Sequence, residues 1–163
     1  MDKMFNADEI FEMAEQIERN GARFYCLAAE GDFEEDHKQK LLELANMEIE
    51  HEKTFATMRT QLSGKETGPT VFDPYGEAAL YLQAMADGYV FDPKIDPTEL
   101  IAGKSVEEIL KTAIGLEKDS IVFYLGIKDM VPERFGRDKI DKIIREEMGH
   151  ITLLSDELAS IEK

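Results

Sequence analysis

Cysteine is almost missing from this chain of 163 residues, where Cys26 stands alone. No internal disulfide can form, and no cysteine-rich iron or zinc site fits. Cys26 itself is expected as a small core filler, because free cysteine is among the most buried residue types. Basic residues are scarce: 19 Lys and Arg face 35 Asp and Glu, for a net charge of −16. That balance argues against nucleic acid and anionic membranes as partners. There is no apolar run long enough to span a bilayer and no basic-plus-apolar leader, so a cytoplasmic protein is expected. Proline is rare too, and four of the five prolines fall between positions 69 and 97. The rest is ordinary for a globular chain, with 43% hydrophobic and 33% charged residues. One domain over 1–163 with a sizeable core is expected.

Outside the proline-containing stretch, periodicity and punctuation predict four long helices. The first covers about 7–30, started by a capping-box pair, Asn6 and Glu9, and ended by Gly31. Its inward stripe is Phe11, Ala14, Glu18, Tyr25 and Ala28. The second covers about 33–62, with Leu41, Leu44, Glu48, His51, Phe55, Met58 and Leu62 in alternating steps of three and four. The third covers about 105–130, with Ser105 and Glu108 as a second capping box and a stripe of Leu110, Ala113, Glu117, Tyr124 and Ile127. The fourth covers about 137–161, with Ile140, Ile143, Glu147, His150, Leu154 and Ile161 inward. Residues 63–104 join the halves, with a short helix predicted over 77–86 that bears Leu80, Tyr81, Ala84 and Met85. A helix of 25 residues is about 38 Å long, and a connection of this length can return along it. The fold class is therefore all-α: a four-helix bundle with one long crossover, the ferritin-like arrangement. The crossover aromatics Tyr75, Tyr81, Tyr89 and Phe91 are expected to pack on the bundle, since a long connection must bury something to be ordered.

The two halves repeat. Glu48-x-x-His51 recurs as Glu147-x-x-His150, and Glu18-x5-Phe24-Tyr25 recurs as Glu117-x5-Phe123-Tyr124, all at an offset of 99 positions. The stripes follow the same offset, which implies two copies of a helix hairpin about a pseudo-two-fold axis. Residues three apart on a helix share a face, so each Glu-x-x-His pair can grip one small region. All these polar groups fall on core stripes, where an unpaired carboxylate costs several kcal/mol. Four inward carboxylates repel one another unless protonated or bound to cations. Two divalent ions would neutralise them. The six candidate ligands are Glu18, Glu48, His51, Glu117, Glu147 and His150. Carboxylate-rich donors with one imidazole per ion suit iron, with manganese or zinc as alternatives. A single Glu-x-x-His means little; two on apolar stripes, in register with two further carboxylates, form a pattern. The third histidine, His37, lies among charged residues and is expected to be exposed.

Tyr25 and Tyr124 stand two turns after Glu18 and Glu117 on the same faces. Each is either a core tyrosine satisfied by one hydrogen bond or a donor that orients a metal-bound carboxylate during catalysis. Phe24 and Phe123 are expected to pack.

At these motifs the chain resembles the rubrerythrin branch of the ferritin-like superfamily, over about 7–62 and 105–161 plus the crossover. The resemblance implies that Glu48 and Glu147 bridge two metal ions, that Glu18 and Glu117 are terminal carboxylates, and that His51 and His150 are nitrogen ligands. It also marks two departures. Peroxidase-active members carry a further Glu three residues after the third-helix ligand, where this chain has Ser120; the equivalent on the first helix is Gly21. No rubredoxin-type module accompanies the bundle, so electrons would come from a separate donor such as rubredoxin.

Three functions follow as expectations: a di-iron oxidoreductase that reduces peroxide or dioxygen, a ferroxidase or iron-binding protein without turnover, or a helical interaction protein with a degenerate site. A homodimer is expected, as bundles of this kind often pair through helix flanks.

Overall fold

Both capping boxes form. In a computed structural model describing residues 6–62, 75–86 and 96–163, α1 (Ala7–Ala29) begins where the Asn6 side chain accepts the Glu9 N–H at 2.9 Å. The Glu9 carboxylate accepts the Asn6 N–H in return at 3.0 Å. Ser105 and Glu108 repeat the exchange ahead of the third long helix, at 3.2 and 2.8 Å. Each such cap stabilises its helix by about 1 kcal/mol. The second long helix, α2, spans Glu35–Thr60. The crossover carries α3 (Glu77–Ala86) and α4 (Pro97–Ile101), and α5 (Val106–Lys128) and α6 (Arg137–Ile161) complete the bundle. Among the described residues there is no strand, and no helix is long and apolar enough to cross a membrane.

The long helices end earlier than the apolar periodicity predicts. α1 stops at Ala29, α2 at Thr60 and α5 at Lys128. In each case the last turn tightens into i→i+3 bonds: Glu30 N–H to Leu27 O, Leu62 N–H to Arg59 O, and Met130 N–H to Ile127 O, at 3.0–3.2 Å. These bonds take up carbonyls that a helix end leaves orphaned. Phe33, predicted to open the second helix, instead packs into the turn before it, 8% exposed. α6 is preceded by Gly136 at φ +101°, a conformation that L side chains rarely adopt. The Met58 methyl sits 3.0 Å from the point where a β-carbon would be.

α1 packs along α2 and α5 along α6, giving two antiparallel hairpins; α1 meets α5 and α2 meets α6 between them. The core has two parts. One holds Phe11, Ile17, Phe55, Phe123, Tyr124, Ile140 and Ile144. The other holds Phe24, Tyr25, Leu41, Leu44, Leu110, Ala113 and Leu154. On every long helix the predicted metal-type residues lie between its contributions to these two clusters. The polar layer is thus closed by apolar side chains on both sides. All predicted stripe residues are buried except Leu62 and Ile161, which sit at fraying ends and are half-buried.

Three expectations are corrected. Cys26 is exposed. It is one residue beyond the inward Tyr25, hence about 100° away around the helix, and that rotation outweighs the usual burial of free cysteine. His37 is half-buried and bonded to the buried Glu157 carboxylate, which also takes Lys40. An acidic partner from α6 draws the ring in, although its sequence neighbours are charged. Tyr75 is 84% exposed and does not pack on the bundle.

α3 contributes Leu82, which is 1% exposed, with Tyr81 and Met85 beside it, whereas Leu80 faces solvent. The Tyr81 hydroxyl donates to the Val122 carbonyl at 2.6 Å. Tyr89 and Phe91 lie outside the described residues. The short helix α4 was not foreseen; Asp96 caps it by accepting the Thr98 N–H at 3.0 Å, and Pro97 occupies its first turn. Gly126 makes room for the Tyr81 ring: a β-carbon there would lie 2.4 Å from Tyr81 Cε1. Gly126→Ala should therefore lift Tyr81 off α5. The expected outcome is at least tenfold faster hydrogen exchange in α3, with exchange at 48–51 and 147–150 unchanged. Unaltered exchange in α3 would show that this glycine is not what seats the crossover.

Candidate metal centre

The helical step of three residues sets Glu48 above His51 and Glu147 above His150, and α1 and α5 each add one carboxylate opposite. All six side chains are brought together and buried: Glu18 is 0%, Glu48 4%, His51 4%, Glu117 3%, Glu147 1% and His150 2% exposed. They form two overlapping groups, Glu18–Glu48–His51–Glu147 and Glu48–Glu117–Glu147–His150. Within each group one donor atom per residue lies within 4.8 Å of the others. Glu48 and Glu147 belong to both groups and so occupy the middle. The imidazoles stack face to face, with centroids 5.7 Å apart and planes 16° from parallel.

The hairpins interlock through the tyrosines. Tyr25 on α1 donates its hydroxyl hydrogen to Glu117 on α5, and Tyr124 on α5 donates to Glu18 on α1. Each phenol belongs to one of the two apolar clusters and reaches a carboxylate contributed by the other hairpin. Phe24 and Phe123 pack edge-on against Tyr25 and Tyr124, at centroid distances of 5.5 and 5.8 Å, and hold those rings in place.

Several atoms at the centre have no hydrogen-bond partner: Glu18 Oε2, Glu48 Oε1, Glu147 Oε1, His51 Nδ1 and His150 Nδ1. The nitrogens are near carboxylates, His51 Nδ1 at 2.8 Å from Glu147 and His150 Nδ1 at 3.1 Å from Glu48, but without hydrogen-bond geometry. Buried polar atoms left this way cost about 1–3 kcal/mol each. Carboxylate oxygens and imidazole nitrogens that converge without hydrogen-bond partners are the donor types a hard or borderline divalent cation takes. The donor set therefore fits a metal site.

The electrostatics show the same need. Burial raises the Glu18 carboxyl to about 7, although bonds from its neighbours oppose it. Burial, then repulsion from neighbouring carboxylates, pushes Glu48 and Glu147 well above the ordinary range. Burial also acts to raise Glu117, but the adjoining Glu147 carboxyl, the nearby His150 ring with its charge and the Tyr25 hydroxyl outweigh it and bring this carboxyl below its usual value. Burial disfavours a charged His150, yet Glu117 and Glu48 hold it up at about 9. Without cations the cluster must share protons to persist.

Two features were missed by sequence reasoning. Glu146 reaches His51 Nε2 at 2.7 Å. Its signal was present as a mismatch, since the residue 99 positions earlier is Met47. Gly21 lies against Glu48: a β-carbon there would stand 3.2 Å from Glu48 Oε2. Ser120, at the other departure from the resemblance, is buried and its hydroxyl is turned back to the Leu116 carbonyl at 3.1 Å.

Among solved structures the chain is similar to one proposed as a ferritin-like diiron-carboxylate protein, from Thermotoga maritima. The match has a TM-score of 0.72 and 25% sequence identity, and it covers 98% of each chain. No family model matches the chain. The fold is thus a ferritin-like all-α bundle, and its buried Glu and His cluster lies in the middle of it.

Glu18 sets the sign of a pH effect. Its folded-state value, about 7, exceeds the ordinary 4.5, so the metal-free fold binds this proton more tightly than the unfolded chain does. That contribution is complete below the ordinary value and is lost as pH rises through about 7. Cations need deprotonated ligands, so their stabilisation grows in the same interval. The Tm difference between metal-loaded and metal-free protein should widen by several degrees from about pH 5.5 to about pH 8. A constant or narrowing difference by scanning fluorimetry would show that these carboxylates do not hold the metal.

Proposed function

We propose that the protein is a di-iron carboxylate oxidoreductase of rubrerythrin type, reducing peroxide or dioxygen with electrons from a separate donor such as rubredoxin. The observation that carries this reading is the set of buried, unpartnered oxygen and Nδ1 atoms converging from two hairpins. Glu48 and Glu147, shared by both groups, would bridge the ions, Glu18 and Glu117 would be terminal carboxylates, and His51 and His150 would supply one nitrogen each. The diiron-carboxylate assignment proposed for the Thermotoga protein supports iron. Two ferrous ions bound here would supply the two electrons that reduction of peroxide requires.

The chain's own residues hold and screen the site. Burial, followed by the charge of Glu117, keeps the Tyr25 phenol protonated, and burial with Glu18 does the same for Tyr124. Both remain hydrogen donors that fix one oxygen of each terminal carboxylate, and on Glu18 the other oxygen has no hydrogen-bond partner. The apolar clusters on either side keep bulk water from the acidic centre. The lone cysteine at position 26 is no basis for an iron–sulfur relay, which is why the donor is placed on another molecule.

A second reading, a ferroxidase or iron-binding protein without peroxidase turnover, is favoured by one observation. Neither Gly21 nor Ser120 offers an additional carboxylate, and the Ser120 hydroxyl is occupied with the backbone. Anaerobic loading with ferrous iron followed by metal analysis should give about two ions per chain. Sustained peroxide consumption with rubredoxin and its reductase supports the first reading; oxidation that stops after one cycle selects the second. His51→Ala and Glu147→Ala should each lower metal content at least twofold and reduce the Tm of the loaded protein. Full metal content in both variants would remove the ligand assignment.

A further inference from the structure

We propose that Glu146 makes the two halves of the metal centre unequal, so that a divalent cation fills the His51 half first and more tightly than the His150 half. The inference rests on the di-metal reading above and concerns the order and strength of binding.

The two halves match closely in their inward contacts. The tyrosine bonds exchange symmetrically, and so do the close contacts around Nδ1. His51 Nδ1 is 2.8 Å from Glu147 and 3.3 Å from Glu18; His150 Nδ1 is 3.1 Å from Glu48 and 3.3 Å from Glu117. The match breaks at the outer ring nitrogens. His51 Nε2 has the Glu146 carboxylate at 2.7 Å. His150 Nε2 is buried and, among the described residues, has no partner. The counterpart of Glu146 in the 99-residue repeat is Met47, which has no carboxylate to offer.

The chemical consequence follows from the imidazole itself. A neutral ring carries one N–H, and a ring that ligates through Nδ1 must keep its hydrogen on Nε2. Glu146 accepts that hydrogen, selects this tautomer, fixes the ring plane and makes Nδ1 a stronger donor. Lys142 Nζ stands 3.8 Å from the same Glu146 carboxylate, so the effect of Glu146 is carried by its bond to the ring rather than by net charge. The His150 N–H, buried with no acceptor, costs free energy whenever the ring presents Nδ1 inward. Glu146 is accordingly a positioning residue that acts through His51.

The test is a stepwise anaerobic titration with Co2+, followed by calorimetry and visible absorption, in wild type, Glu146→Met, Glu146→Gln and Met47→Glu. Wild type should show two resolved steps. Glu146→Met should weaken the tighter step by about 10–100-fold and leave the weaker step in place. Glu146→Gln, which retains an acceptor oxygen, should recover part of that loss. Met47→Glu should strengthen the weaker step, a gain that damage to the fold would not produce. Two equal steps in wild type, equal weakening of both steps in Glu146→Met, or an unmoved weaker step in Met47→Glu would overturn the inequality while leaving the di-metal reading intact. No uptake of Co2+ by wild type would overturn the di-metal reading itself.

Discussion

Mutual repulsion among four buried carboxylates is the constraint to which the rest of this structure answers. Left bare, Glu18, Glu48, Glu117 and Glu147 would drive the hairpins apart. The bundle offsets this locally, with two imidazoles and two phenols placed among these carboxylates. It also builds a well-packed apolar cluster on each side of the polar layer. The clusters clamp the helices at the spacing the polar layer needs, and the same dryness that makes the clamp strong makes bare charge costly. Bound cations would resolve the conflict, which ties the site to the stability of the fold.

Much of this was legible in the sequence because two independent periodicities coincide there. The three-and-four spacing on each helix identifies the inward faces, and the 99-residue repeat identifies which polar residues on those faces occur twice. Neither signal alone separates Glu147 from the many surface glutamates. Where only local character was available, expectation and structure part. Cys26 has the chemistry of a core residue but the phase of a surface one. His37 has exposed neighbours in sequence, yet its partner Glu157 is 120 positions away. The ends of α1, α2 and α5 were overrun because apolar residues continue past the last full turn, while their backbone closes in shorter i→i+3 bonds. Glu146 went unnoticed for a related reason: its contact crosses from α6 to α2, and no spacing within one helix reveals it.

The two positions that depart from the rubrerythrin pattern, Gly21 and Ser120, both lie beside the centre. Gly21 is more than the absence of a ligand, because the Glu48 carboxylate packs against its backbone at a distance that leaves little room for a side chain. Ser120 is buried, back-bonded and unavailable to the centre. On the first helix a β-carbon at position 21 would stand 3.2 Å from the Glu48 carboxylate, and on the third the Ser120 hydroxyl is bonded to the backbone. The six buried side chains that could hold metal lie close together.

The crossed tyrosines have a consequence beyond orientation. Each terminal carboxylate is held by a phenol from the opposite hairpin, so neither hairpin owns a finished half of the centre. Two identical hairpins meeting about a two-fold axis would nonetheless assemble the full set of donors, since each kind of residue is supplied once by each copy. Joining such copies in a single polypeptide frees one to diverge without dragging the other along. Glutamate at 146 opposite methionine at 47 is a place where the two hairpins differ, and there a symmetric architecture presents unlike surroundings to its two imidazoles.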